Sequence, residues 1–305
     1  MKVAILDARQ GENRVAEKSY TVAYRNMSQL KDFFNADLFV NASDISQSSD
    51  YDAIICGFGS TSCEKEKSTD FLIRNKSAKI FWLVGEYEQS TFAPLFYSKR
   101  EFEIIKNFEH PIKNKKATRQ HFLNINTLLA KPSNQLSEKK YGSIYYGRWR
   151  PDRVDYFKKY LSSCVYLSTH SKNAKMFHHN GCSPNYIKPM TWRAGKESLN
   201  LFKTSLYIED VFTHSNYNCL ANRFYEALFC NTIPLFDVSC INTLESSNIF
   251  DYDWHVIDGA QDFLNKTKNI PASAKERIAK WNIIANNEKE ETLANIKKII
   301  SGVVL

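Results

Sequence analysis

The residues best suited to chemistry in this chain are Arg223 and Glu226. They are three apart, behind the asparagine-rich stretch Ser215-Asn216-Tyr217-Asn218 and ahead of the apolar run Thr232-Ile233-Pro234-Leu235-Phe236-Asp237. Residues i and i+3 share a helix face, so the two side chains would project together while Phe224, Ala227 and Leu228 supply the packed side. A helix N-terminus carries free N–H groups and partial positive charge, and Asn216 or Asn218 can cap it. A carboxylate on such a helix can accept both hydrogen bonds of a ribose diol, and an arginine one turn earlier can face phosphates. Tyr217 belongs to the same loop and joins them as a donor-binding candidate. The arrangement suits a nucleotide-sugar. The plain alternative is a surface i,i+3 ion pair on an ordinary helix.

Such residues need a scaffold, and 305 residues are enough for two domains of about 150 each. A hydrophobic content of 43%, with 13% aromatic residues, supports sizeable cores and excludes wholesale disorder. The formal net charge of +8 points to a polyanionic partner, with nucleic acid the first candidate. No apolar run approaches the roughly 18 residues that span a bilayer, so no membrane partner is expected. Met1-Lys2-Val3-Ala4-Ile5-Leu6-Asp7 reads as a first strand rather than a signal peptide. Cysteines number seven, an odd count with no Cys-x-x-Cys pair, as in a reduced cytoplasmic protein with buried thiols. His170, His178, His179 and Cys182 lie near one another but not as two spaced pairs, so no metal site is expected.

Taken in order, residues 2–7 form an apolar strand and 19–34 have helical spacing through Val22, Met27, Leu30 and Phe33/Phe34. Strands are expected at 37–41, 51–57 and 78–86, with a helix at 68–74. Strands alternating with helices, apolar without a clear period of two, argue for a parallel sheet covered on both faces. Gly57, Gly59 and Ser60 do not make a dinucleotide signature. From Tyr97 to Arg119 the chain turns basic, through Lys99, Arg100, Lys106, Lys113, Lys115, Lys116 and Arg119. That stretch is either a solvated helix-and-loop face or a phosphate-contacting one. Residues 131–140 read as a linker. A second alternating unit follows, with strands at 142–147, 165–168, 205–209, 232–237 and 255–258. Residues 275–301 are expected as two helices. The fold class is therefore α/β, with two Rossmann-like domains facing each other across a cleft. The first spans 1–135 and the second 141–275, and a helical segment at 276–305 is placed to pack back towards the first.

Two motifs fall on corresponding positions of the second unit: Ile144-Tyr145-Tyr146-Gly147-Arg148-Trp149-Arg150 with Arg153, and Arg223-Phe224-Tyr225-Glu226. Together they resemble the phage DNA β-glucosyltransferase family, which has the two-domain glycosyltransferase B fold. In that family a strand ending Tyr-Gly-Gly-Ser leads to two arginines on the donor diphosphate, and a later Arg-x-x-Glu grips the uridine ribose. Residues 51–55 and 79–83 sit where similar strands occur. The family's general base is an Asp just past the fourth strand, and Glu86 occupies that place here, one methylene longer. The chain departs from the pattern in three further ways. Glu88 stands where the family has an arginine, Arg148 replaces a serine, and the spacing to Arg153 is one residue shorter.

The resemblance implies transfer of a sugar from a uridine diphosphate (UDP) sugar to the hydroxymethyl group of 5-hydroxymethylcytosine in double-stranded DNA. It implies no obligatory cofactor, with a divalent cation at most stimulatory, and a monomer in the cytoplasm of an infected bacterium. Arg150 and Arg153 lead as diphosphate ligands because planar guanidinium groups match phosphate oxygens in bidentate fashion. Arg223 and Arg148 come second, with Gly147 at the turn. Glu86 would take the acceptor's proton, with Glu88, Glu17 and Asp7 as rival carboxylates. The target nucleotide would flip out of the duplex, and Tyr87, Phe92, Phe96 or Tyr97 could stack on it. Lys99, Arg100, Lys113, Lys115, Lys116 and Arg119 would lie along the DNA backbone. Glucose is the family's default sugar, and a pentose such as arabinose is the variant. Two competing readings are a glycosyltransferase with a non-DNA acceptor and a non-catalytic basic DNA-binding protein.

Overall fold

The apolar runs of the sequence become parallel strands buried on both faces. In the computed structural model, which describes residues 1–9, 22–45, 50–57, 64–85, 92–107, 111–130, 138–190, 197–209 and 220–302, these strands form two sheets. The chain divides into two units, Met1–Leu129 with Glu288–Leu305, and Ala130–Asn287.

In the first unit the strands are β1 (Val3–Arg9), β2 (Asp37–Asn41), β3 (Ala53–Cys56), β4 (Lys79–Val84), β5 (Phe102–Lys106) and β6 (Ala117–Phe122). They pair in the order β2-β1-β3-β4-β5-β6, all parallel. Helices α1 (Val22–Phe34), α2 (Glu66–Arg74) and α3 (Ala93–Ser98) belong to this unit. Val3, Ile5, Ile55, Phe81, Leu83 and Ile105 form one core with Met27 and Leu30 of α1. The chain leaves β1 for β2 on one side and returns to β3 on the other, so the direction of winding reverses between β1 and β3. Asp7 sits at that reversal, buried, and Gly57 follows β3 there. A Cβ at Gly57 would come within 2.5 Å of Asp7 Oδ1, so the close approach of this carboxylate requires glycine.

The basic stretch, for which a solvated helix-and-loop face and a phosphate-contacting face were both open, contains β5 and β6. Phe102, Ile104 and Ile105 fill the core from β5. The sheet's edge strand, β6, has the sequence ATRQHF with no buried residue, which suits an edge left to solvent.

In the second unit β7 (Tyr141–Tyr146), β8 (Val165–Ser168), β9 (Asn185–Ile187), β10 (Phe202–Tyr207), β11 (Ile233–Asp237) and β12 (Val256–Ile257) pair in the order β12-β11-β10-β7-β8-β9. Its helices are α4 (Val154–Tyr160), α5 (Ser171–His179), α6 (Asn222–Phe229), α7 (Ile241–Ser246) and α8 (Ala260–Lys268). Neighbouring residues of β7 serve opposite cores: Tyr145 packs with Phe157, Leu167 and Leu206, whereas Ile144 packs with Leu199, Phe202 and Cys230. That is the period of two expected of a strand covered on both sides. Here the winding reverses between β7 and β10, and in open parallel sheets ligands bind at the carboxyl ends of strands at such a reversal.

The C-terminal segment is one helix, α9 (Ala272–Ile300), where two were expected. It contains neither Gly nor Pro, so nothing breaks it. What looked like two periodic segments is one helix serving two cores. Ile278 and Trp281 are buried in the part belonging to the second unit, whereas Leu293, Ile296, Ile299 and Ile300 join the first unit's core.

Trp281 also stacks on His255, with ring centroids 4.5 Å apart. His255 is 1% exposed, its Nδ1–H donates to Pro234 O at 3.0 Å, and its Nε2 meets no polar group among the described residues. Protonating Nε2 would bury an N–H with no acceptor, and burial accordingly lowers the pKa from 6.5 to about 4. The unfolded chain takes up this proton near pH 6.5, and the folded chain only near pH 4. Stability is therefore full above 6.5 and falls as pH drops through the window between the two, by up to about 3 kcal/mol. Chemical denaturation at pH 7 and pH 4.5 should show this loss, and His255→Phe should abolish most of the pH dependence between them.

Candidate functional site

The reversal point of the second sheet gathers the motifs. After β7 the chain passes Gly147, whose N–H donates to Ser168 O at 3.2 Å and whose carbonyl accepts from Thr169 Oγ1 at 2.6 Å. A Cβ at Gly147 would lie 3.3 Å from the Tyr145 hydroxyl, tighter than side chains normally approach. Trp149 anchors the loop that follows. Its ring packs against Phe157 and Phe177 at 5.4 and 5.0 Å between centroids, and its backbone N–H donates to Asn173 Oδ1 at 3.1 Å. Pro151 opens a 3-10 turn (Pro151–Arg153) that runs into α4, a favoured place for proline because it has no N–H to satisfy.

The anchored tryptophan sorts the three arginines. Arg148 and Arg150 are exposed, and Arg150 pairs with Asp152 at 3.3 Å. Arg153 turns inward to 7% exposure. Its Nη2 donates to Glu209 Oε2 at 2.5 Å and its Nη1 to Ile208 O at 3.3 Å. From α6, Arg223 Nη1 donates to the same Ile208 carbonyl at 3.0 Å and to the other Glu209 oxygen at 3.3 Å. The guanidinium of Arg223 also lies 5.1 Å from the Tyr145 ring centroid and 5.9 Å from that of Tyr146. One buried carboxylate thus stands between two arginines from different elements.

Glu226 is 2% exposed, and the nearby Tyr146 hydroxyl donates to Arg223 O at 3.2 Å. Burial first, and the Glu226 charge second, push the Tyr146 phenol well above its usual range, so it stays protonated and able to donate. This excludes a surface Arg223–Glu226 ion pair: Arg223 pairs with Glu209, and Glu226 is inside. Helix α6 begins at Asn222 with Ala221 as its N-cap and no side-chain cap from that residue, and the cap candidates Asn216 and Asn218 lie outside the described residues. The Tyr207 hydroxyl accepts the Ala221 N–H at 2.8 Å.

The sequence reading ranked Arg150 with Arg153 and missed Glu209. The structure pairs Arg153 with Arg223 and leaves Arg150 with Asp152. Glu209 did carry a signal, as an acid directly past the buried run Leu206-Tyr207-Ile208, the same position at a strand's carboxyl end that singled out Glu86. Tyr217, Glu86, Tyr87, Glu88 and Glu17 lie outside the described residues.

In the first unit Phe92 is fully buried, so it fills the core and cannot stack on a base. Phe96 and Tyr97, 72% and 54% exposed, stand edge-to-face on α3 with centroids 5.6 Å apart. Lys99, Lys113, Lys115, Lys116 and Arg119 are exposed. Arg100 is engaged differently from the expectation of a DNA-backbone contact. Its Nη1 and Nη2 donate to the carbonyls of Leu72, Asn75, Lys76 and Ala78 at 2.8–3.0 Å, closing the C-terminal end of α2 and the turn after it. Four of its five N–H donors are consumed internally, so Arg100 does not serve as a backbone phosphate ligand.

Two parallel, doubly wound sheets with these helices make the glycosyltransferase B fold. No protein-family model matches the sequence, and no curated protein does. Among solved structures the chain is similar to T4 phage β-glucosyltransferase in complex with its UDP-glucose substrate (TM-score 0.72, 15% identity, covering 98% of this chain and 99% of that one). The same enzyme with UDP and Mn2+ gives a TM-score of 0.71 at 14% identity and the same coverage. An α-glucosyltransferase in complex with UDP-glucose and DNA containing an abasic site gives 0.55 at 11% identity, over 96% of this chain and 94% of that one.

Proposed function

We propose that this chain is a UDP-sugar-dependent DNA glycosyltransferase whose acceptor is the hydroxymethyl group of 5-hydroxymethylcytosine. The observation that carries the reading is the buried Arg153–Glu209–Arg223 group beside Glu226, at the winding reversal of a sheet whose fold matches DNA glucosyltransferases. Arg153 and Arg223 stabilise the departing diphosphate, where negative charge develops as the bond from the sugar C1 to the phosphate oxygen breaks. Glu226 accepts from the ribose diol. Glu86 removes the proton of the hydroxymethyl oxygen as that oxygen bonds to C1. The nucleotide is extruded from the duplex to react, and Phe96 and Tyr97 are exposed aromatic faces available to it. A divalent cation is a stimulant rather than a requirement, the sugar is glucose or a pentose, and the enzyme acts as a monomer in the infected cell's cytoplasm.

Two binding measurements separate this reading from its rivals. Calorimetry with UDP should give a saturable isotherm, which a non-catalytic DNA-binding protein would not. A gel shift with hydroxymethylated duplex should show retention, and its absence beside intact UDP binding would move the acceptor away from DNA.

The basic face gives a further expected result. Neutralising Lys113, Lys115 and Lys116 together should lower the slope of log affinity for DNA against log salt by up to about three units. Arg100→Ala should leave that slope unchanged but cost about 2–3 kcal/mol of stability through the carbonyls it leaves unpaired. A reduced slope for Arg100→Ala, with the melting temperature intact, would restore it as a phosphate ligand.

A further inference from the structure

Among the described residues, Glu209 is a carboxylate that touches both arginines of the site. It is 3% exposed, two residues past β10, and gives one oxygen to each: Oε2 to Arg153 and Oε1 to Arg223. The Ile208 carbonyl repeats the bridge from the residue before, accepting from Arg153 at 3.3 Å and from Arg223 at 3.0 Å. Two long side chains, from the start of α4 and the start of α6, are thereby tied to one short segment at the carboxyl end of a central strand. Burying a carboxylate is costly unless its partners are well placed, and here each carboxylate oxygen meets a guanidinium. Holding both groups in place before the ligand arrives removes their ordering from the binding step.

We infer that Glu209 is a positioning residue that clamps Arg153 and Arg223 at one spacing, so that together they meet the second phosphate of a nucleoside diphosphate. The inference rests on the donor reading above and deepens it by naming what sets the diphosphate preference. Charge alone gives the opposite expectation. Removing a negative charge beside two cations should strengthen diphosphate binding, whereas releasing a clamp should weaken it, and weaken it for the second phosphate in particular.

The test is calorimetry with UDP and with uridine monophosphate on the full chain, for wild type, Glu209→Gln and Glu209→Asp, with folding followed by circular dichroism. Wild type should favour the diphosphate by about tenfold or more, the return on charge-assisted contacts to the added phosphate. Glutamine keeps the shape but turns an N–H₂ towards one arginine, and the preference should fall to about threefold or less, with monophosphate affinity little changed. Aspartate keeps the charge on a shorter stem that reaches one arginine, and should lie between. A Glu209→Gln protein that folds and keeps or raises the wild-type preference overturns the clamp, as does an equal loss for both nucleotides. Should Glu209→Gln not fold, Glu209→Asp decides alone, and a wild-type preference there overturns it. Wild type binding neither nucleotide would remove the donor reading itself, and the clamp with it.

Discussion

Replacing Arg153 with lysine should lower sugar transfer by about 10²–10³-fold, the scale of losing one preorganised donor to a leaving group's developing charge. The same change at Arg150 should leave transfer within about threefold, since an exposed pair with Asp152 contributes little. The contrast follows from what each guanidinium touches. Arg153 makes contacts to Glu209 and to Ile208 O through two different nitrogens, and a planar fork can do this while presenting further N–H groups to a phosphate. A lysine keeps the charge but concentrates its donors on one atom, so it cannot hold Glu209 and the carbonyl and also face the diphosphate. Single-turnover transfer with saturating donor separates this from weaker binding. If Arg150→Lys proves the damaging change and Arg153→Lys the tolerated one, the diphosphate lies on the exposed side of the loop and the buried cluster is structural.

The second large effect concerns the acceptor. Glu86→Gln should reduce transfer by about 10²–10⁴-fold, with donor and DNA affinities little changed, because an amide of nearly the same shape cannot accept the alcohol proton. The grounds are its place past the most apolar strand, β4, and the resemblance to a family whose base stands there. Glu88→Gln is the natural comparison, being two residues on. Asp7 is the third carboxylate to include. It is buried at the winding reversal of the first sheet, where a ligand would also be expected, and Gly57 has no side chain that could crowd it. If Asp7→Asn abolishes transfer while both glutamate variants remain active, the proton goes to the reversal point and not to the end of β4.

Much of the architecture was legible because parallel strands covered on both faces must be apolar throughout. Ile54-Ile55-Cys56, Ile80-Phe81-Trp82-Leu83-Val84 and Leu235-Phe236 could be little else. Arg223 and Glu226 stood out because helix geometry acts over three residues. Glu209 was harder to see, since its partners lie 14 and 56 residues away, and only the closing of β7 against β10 brings them together. Arg100 was misread for a related reason. Its partners are main-chain carbonyls, which have no signature in a list of side chains, so a basic residue in a basic run looked like a phosphate ligand. The edge strand β6 was hidden by its polarity, and α9 was divided in two because its apolar stripe changes partner along its length.

The account's central claim is sugar transfer to a modified base, and it can be read directly. Duplex DNA containing 5-hydroxymethylcytosine would be incubated with the chain and a panel of UDP-sugars, digested to nucleosides and analysed by mass spectrometry, with unmodified duplex in parallel. The account predicts one added sugar on 5-hydroxymethyldeoxycytidine with at least one member of the panel, and none on deoxycytidine. An unchanged nucleoside profile with every donor, from protein that binds UDP in the same preparation, would contradict it.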